Sequence, residues 1–92
     1  MKFPLRNPRV ATRTIDGQAV AVSPDDAMLH TFNEIGTLIW ELADGKTSLD
    51  AIAREVADRY EIGLAQATAD VASFCEELVE RGILELGDRA LG

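Results

Sequence analysis

The amino-acid order predicts an α+β domain in which a three-stranded antiparallel sheet is followed by a three-helix cluster, and three features carry that expectation. Stretches rich in β-branched residues flank Asp16-Gly17, a run between Asn33 and Gly45 is apolar nearly all round, and from Leu49 onward apolar residues recur at helical spacing. Loops between these segments are of ordinary length, and no repeat interrupts them.

The first strand is Val10 to Ile15, which ends at the dipeptide best suited to the two positive φ angles of a tight hairpin. Gln18 to Ser23 alternates branched with small residues, as a half-buried second strand does. Pro24-Asp25-Asp26-Ala27 reads as a type I turn, because proline presets φ and the aspartates bond nearby amides. Met28 to Phe32 then returns as the third strand.

Asn33 is the expected cap of the first helix, since its side-chain oxygen can take an otherwise orphaned amide of the first turn; Gly45 marks the stop. Ile35, Leu38, Ile39 and Leu42 form an apolar face, with a narrow polar stripe of Glu34, Thr37, Glu41 and Asp44. Gly36 lies one turn before Trp40 on the same side, where the missing side chain lets another backbone come close. Thr47 with Asp50 resembles a capping box for a second helix, whose apolar face is Leu49, Ile52, Ala53, Val56, Ala57 and Tyr60. The third helix runs from about Leu64 to Arg81 with a stripe of Ala67, Val71, Phe74, Cys75, Leu78 and Val79, and Gly82 closes it. Ile83 to Leu86 reads as a short extended tail. By this reading residues 1–8 are a basic N-terminal arm, 9–86 the folded domain and 87–92 a frayed tail.

Ninety-two residues suffice for one core without metal or disulfide staples. No run approaches a membrane span, the basic N-terminus has no apolar signal region, and the single Cys75 cannot form an internal disulfide, so the expected compartment is the cytoplasm. Charge is unevenly placed. Lys2, Arg6, Arg9 and Arg13 give the first 13 residues +4, leaving 5 basic against 16 acidic side chains, or −11, on the rest. Such a body repels phosphate backbones and anionic lipid, so neither nucleic acid nor membrane is the expected partner.

Catalysis by the chain alone is hard to assemble from these residues. His30 has no second histidine or cysteine pair to complete a metal site, and Cys75 sits on an apolar stripe with no basic neighbour to make it a nucleophile. The acid pairs Asp25-Asp26 and Glu76-Glu77 occupy a turn and a solvated helix, and the glycines punctuate helices instead of forming a phosphate loop. The expectation is therefore no catalytic residue, no metal and no cofactor. Binding is easier to argue, because so small a sheet has edge strands that can accept another strand, unless a loop or the basic arm covers them.

The segment Phe32-Asn33-Glu34-Ile35-Gly36-Thr37-Leu38-Ile39-Trp40-Glu41-Leu42-Ala43-Asp44-Gly45 resembles the LNETGALIWELLDG block of PqqD-like proteins, small domains that bind the leader segments of ribosomally made peptides. The resemblance runs from about Pro8 to Leu84 and includes the Asp-Gly hairpin, the Thr-capped second helix and an acidic third helix closing at Arg81-Gly82. This chain carries His30 where the family usually has an aromatic residue. The resemblance implies a winged-helix-like peptide-recognition module without catalytic residues, in which a precursor leader joins the sheet beside the third strand and lies against the third helix. Carried onto this sequence, the peptide pairs with Met28, Leu29, His30 and Thr31 and meets Asp70, Val71, Phe74, Cys75 and Leu78. The implied third party is a modifying enzyme, commonly a radical S-adenosylmethionine enzyme. One branch of the family serves pyrroloquinoline quinone synthesis, and no residue here separates that branch from the wider group.

Two other readings compete. A winged-helix DNA binder shares the coarse architecture, but Leu64 to Gly82 offers Arg81 alone against Asp70, Glu76, Glu77 and Glu80, a poor match to a phosphate-lined groove. A small structural or regulatory subunit is the other. Strand exchange between two copies, giving a homodimer, is also open to so small a sheet.

Overall fold

The computed structural model describes residues 2–24 and 27–91. In chain order the elements are β1 (Phe3–Arg6), β2 (Ala11–Ile15), β3 (Gln18–Val22), β4 (Leu29–Thr31), α1 (Glu34–Leu42), α2 (Leu49–Tyr60), α3 (Leu64–Glu80) and β5 (Leu84–Gly87). The expected order of three strands and then three helices is present as β2 to β4 and α1 to α3. Asp25 and Asp26, which carry the expected turn and one of the acid pairs, lie outside the described residues.

β2, β3 and β4 form an antiparallel meander with β3 in the middle. The hairpin register places Ile15 opposite Gln18, and the intervening Asp16 and Gly17 both take positive φ, 51° and 79°, the mirror-image turn that matches the twist of the strands. The face of β3 that turns inward carries only Ala19 and Ala21, both fully buried. Small side chains there let the helices approach the sheet closely.

A hydroxyl closes the seam between sheet and helices. Asn33 caps α1 by accepting the Gly36 amide at 2.8 Å, as its residue type requires. One turn later Thr37 is buried, although its spacing assigns it to a polar stripe. Its Oγ1 accepts the Ala19 amide at 2.9 Å and lies 3.5 Å from the Phe32 carbonyl, to which it donates. The chain has by then left the β4 direction, so the hydroxyl stands in for the last rung of the β3–β4 ladder.

The other caps follow the same logic with one shift. α2 is capped by Ser48, whose Oγ accepts the Ala51 amide at 3.1 Å, and not by Thr47. Thr47 instead bonds Asp44, whose carboxylate also accepts the Lys46 and Thr47 amides; these bonds, the Lys46 amide foremost, hold the Asp44 carboxyl below its ordinary value. The loop is thus an Asx turn, which displaces the helix start by one residue.

Within the segment read from sequence as a basic arm, residues 3–6 form a strand. They pair antiparallel with β5, with Pro4 opposite Leu86. The Arg6 amide donates to the Ala43 carbonyl, the Gly45 amide to the Pro4 carbonyl, and the Leu49 amide to the Lys2 carbonyl, so the segment is stitched beneath the α1–α2 loop. Lys2 and Asp88 pair at its outer end. Pro4 lacks an amide and demotes such a run on sequence grounds, yet here it is fully buried in a two-stranded ribbon that needs few donors. Farther along, the Leu91 amide donates to the Gly45 carbonyl, bringing the C-terminal residues back onto the same loop.

The core joins Ile39 and Trp40 of α1, Ile52 and Val56 of α2, Val71 and Cys75 of α3, and Ile83 and Leu84. Val79, expected on the α3 stripe, is 37% exposed near the far end of the helix. Burial pushes the Cys75 thiol up to about 12, and the adjacent Glu76 carboxylate adds to the rise.

Two outcomes follow. Thr37→Val keeps the shape but leaves the Ala19 amide unpaired in a buried seam, and should cost about 1–3 kcal/mol, read as a lowered melting temperature. The Cys75 thiol ionises near 9 once unfolded but only at about 12 when folded, so the neutral folded form contributes stability that declines as pH rises above 9. Denaturation midpoints from about pH 8 to about pH 11 should fall more steeply for the wild type than for Cys75→Ala.

Candidate functional site: the β4 edge and its cleft

β4 is an outer strand of the meander, and among the described residues no strand lies on its far side. Its ladder determines which main-chain groups look outward. The Ser23 amide donates to the Met28 carbonyl at 2.9 Å, the Phe32 amide donates to the Ala19 carbonyl at 2.9 Å, and His30 stands opposite Ala21. Met28, His30 and Phe32 therefore direct their ladder groups into β3. Leu29 and Thr31, at the alternate positions, turn their N–H and C=O groups away from it.

That outward edge borders a cleft of about 370 Å³ whose far wall is α3. Leu29 to Asn33 line one side, and Phe74, Glu77, Leu78 and Arg81 the other. The α3 residues recur at steps of three and four, so one stripe of the helix faces the strand. The floor is aromatic. The Phe32 ring lies 5.6 Å from Trp40 and 5.3 Å from Phe74, the latter edge to face. Gly36 makes this approach possible, since a Cβ built there would stand 3.0 Å from the Phe74 ring. The close neighbour that the glycine admits is thus an aromatic side chain, not a second backbone.

The residues singled out by sequence divide into three groups. Leu29, His30, Thr31, Phe74 and Leu78 come together around the cleft. Met28 is exposed just before β4, and Asp70 is exposed a turn above the cleft, where it accepts a hydrogen bond from Gln66 at 2.8 Å. Val71 and Cys75 point the other way, into the core, where they are 1% and 0% exposed. The stripe read from α3 thus serves two neighbours: its Val71 and Cys75 edge packs the domain, and its Phe74 and Leu78 edge reaches the cleft. Glu77, which sequence reading assigns to solvent, and Arg81, read only as the end of the helix, line the cleft and pair with each other at 3.4 Å. Their position one turn beyond Phe74 and Leu78 is the signal that marks them.

The opposite face of the meander holds a broader hollow of about 530 Å³ lined by Ile15, Val20, Val22 and Leu29. It lacks the second wall that α3 gives the cleft. Among the described residues no group of three or more His, Cys, Asp or Glu side chains is placed to hold a metal ion, and no helix is long and apolar enough to cross a membrane. The arrangement offers main-chain donors and acceptors beside a wall that pairs Phe74 and Leu78 with the Glu77–Arg81 ion pair, which suits an extended polypeptide.

Comparison with known proteins agrees with this geometry. The sequence model of coenzyme PQQ synthesis protein D (PqqD) matches residues 18–84, from β3 to the first residue of β5. A PqqA binding protein of Rhizobium meliloti (strain 1021) is 31% identical over 81 residues, covering 88% of this chain and 81% of the relative. Two solved structures share the fold with a TM-score of 0.78 each. They are TbiB1 in complex with the TbiA(beta) leader peptide, 21% identical over 88% of this chain and 94% of that one, and lasso peptide synthetase B1 complexed with the leader peptide, 23% identical over 90% and 98%. With the family pattern running from β3 through all three helices and both walls of the cleft, the chain belongs to the PqqD family.

Proposed function

We propose that this chain captures the leader segment of a ribosomally made precursor peptide as an added strand on β4, holds it against α3, and presents it to a modifying enzyme. The observation that carries the reading is the outward edge of Leu29 and Thr31 beside a cleft of mixed apolar and polar lining, with the N-terminal residues engaged elsewhere, against β5. The relatives support it, since one is named for binding PqqA and two structures hold leader peptides. Met28 to Thr31 supply the strand; Phe74 and Leu78 supply the wall, Asp70 its upper rim, and Val71 and Cys75 act from behind by keeping that wall rigid.

The module contributes no catalytic residue or cofactor in this reading. It acts by raising the local concentration of a flexible substrate at an enzyme, for which a radical S-adenosylmethionine enzyme is the expected partner, in pyrroloquinoline quinone synthesis or a related pathway. In this reading the chain works in the cytoplasm, where a ribosomal product is made. A homodimer made by pairing two β4 edges would occupy the same main-chain groups, so that dimer and the loaded state exclude each other. DNA is disfavoured because α3, the helix a winged-helix protein would send into a groove, carries Asp70, Glu76, Glu77 and Glu80.

A fluorescent leader peptide from the native precursor should bind with micromolar or better affinity in anisotropy titrations. Thr31→Pro removes an outward amide without touching the β3–β4 ladder, and should weaken binding about tenfold or more with an unchanged circular dichroism spectrum. Equal affinity for wild type and Thr31→Pro would exclude the β4 edge. Val71→Glu places a charge in the core and should unfold the domain, whereas a change confined to affinity would put Val71 in the groove instead.

A further inference from the structure

The buried polar side chains of the core have partners. Ser23 Oγ donates to the Arg81 carbonyl at 3.1 Å, Thr37 is bonded at the sheet seam, and Ser48 caps α2. His30 is the exception. Its ring is half-buried in the cleft wall, and its Nε2 is shut off from water without a hydrogen-bond partner, the one such side-chain atom among the described residues. An apolar ring would fill this position without that penalty, since a buried nitrogen lacking a partner forfeits its hydration and gains nothing in return.

We infer that His30 selects the captured peptide by side chain: the residue that an added strand lays opposite it, on the cleft side, carries a neutral hydroxyl or carboxamide that becomes the partner of Nε2. The inference rests on the strand-addition reading and adds to it a specificity-determining contact. Cross-strand neighbours share a face, so a strand bonded to Leu29 and Thr31 must drop its intervening side chain between His30 and α3. A modest turn of the imidazole about its broad terminal torsion brings Nε2 to that side chain. Serine, threonine, asparagine and glutamine each both donate and accept, and so can partner the ring nitrogen whether it donates or accepts. A carboxylate is disfavoured because Glu77 stands on the opposite wall, and Arg81 is already engaged with it. Histidine at this strand position thus makes the cleft a reader of one polar residue within an otherwise apolar strand.

The test is an mRNA-display selection of short random peptides on the intact chain, followed by anisotropy titration of an enriched peptide and its Thr→Val or Asn→Leu counterpart at the position facing His30. Wild type should prefer the polar member of the pair by about tenfold. His30→Phe should lose or reverse that preference, and His30→Gln, which keeps a hydrogen-bonding group, should retain it. Circular dichroism establishes that both variants are folded; if His30→Phe is not, the His30→Leu variant replaces it in the same comparison. An unchanged polar-to-apolar ratio in the variant lacking a polar ring overturns the role of His30 while leaving strand capture intact. Failure of the wild type to enrich any peptide overturns strand capture itself, and this inference with it.

Discussion

The site depends on how the chain leaves β4. Over two residues it turns from an extended edge strand into α1, and beside the backbone bonds of Phe32 and Thr37, two side chains brace the turn: Asn33 to the Gly36 amide, and the Thr37 hydroxyl between the Ala19 amide and the Phe32 carbonyl. Together they anchor the first helix to the middle strand through an element only three residues long. A three-residue strand is weak by itself, since its ladder is short and, among the described residues, no strand pairs its outer side. Anchored at one end by α1 and bonded along its inner side to β3, it is held in place while its outer side stays available.

The rest of the domain serves that placement. Alanines on the inner face of β3 bring the sheet close to the helices, and the Phe32, Trp40 and Phe74 rings, admitted by Gly36, fix the distance between β4 and α3. The cleft is therefore a consequence of core packing and not of a loop that must order itself. For the proposed peptide, a preformed groove would leave most of the ordering cost of binding to the peptide. The N-terminal strand contributes indirectly. By pairing with β5 on another part of the surface, it occupies main-chain groups that a free arm would otherwise bring to the β4 edge.

Charge completes the arrangement. The acidic side chains of α3 do not form the site, but they flank it, and they discourage nucleic acid from a helix that the fold would otherwise offer to a groove. Within the cleft the charges are limited to Glu77 and Arg81, which pair with each other. For the proposed peptide, main-chain bonding and apolar contact would provide affinity, while Nε2 of His30 is, among the described residues, the buried side-chain atom without a hydrogen-bond partner.

Local chemistry wrote much of this in the sequence. The hairpin was legible at Asp16-Gly17, the start of α1 at Asn33, and the helical stripes at Leu49 to Tyr60 and Ala67 to Leu78, because turn geometry, capping and periodicity depend on near neighbours. The family signature around Asn33 to Gly45 was legible for the same reason. β1 was not, since a proline-containing run becomes a strand only when a distant partner, Leu84–Gly87, meets it. Nor was the division of the α3 stripe: periodicity places Val71, Phe74, Cys75 and Leu78 on one apolar side, but which of them faces the core and which the β4 cleft is set by the angle at which the helix crosses the sheet. The burial of Thr37 and the unpartnered nitrogen of His30 are of the same kind. A polar residue's spacing tells which way it points along its own element, whereas its hydrogen-bond partner, or the want of one, belongs to whatever the tertiary packing brings against it.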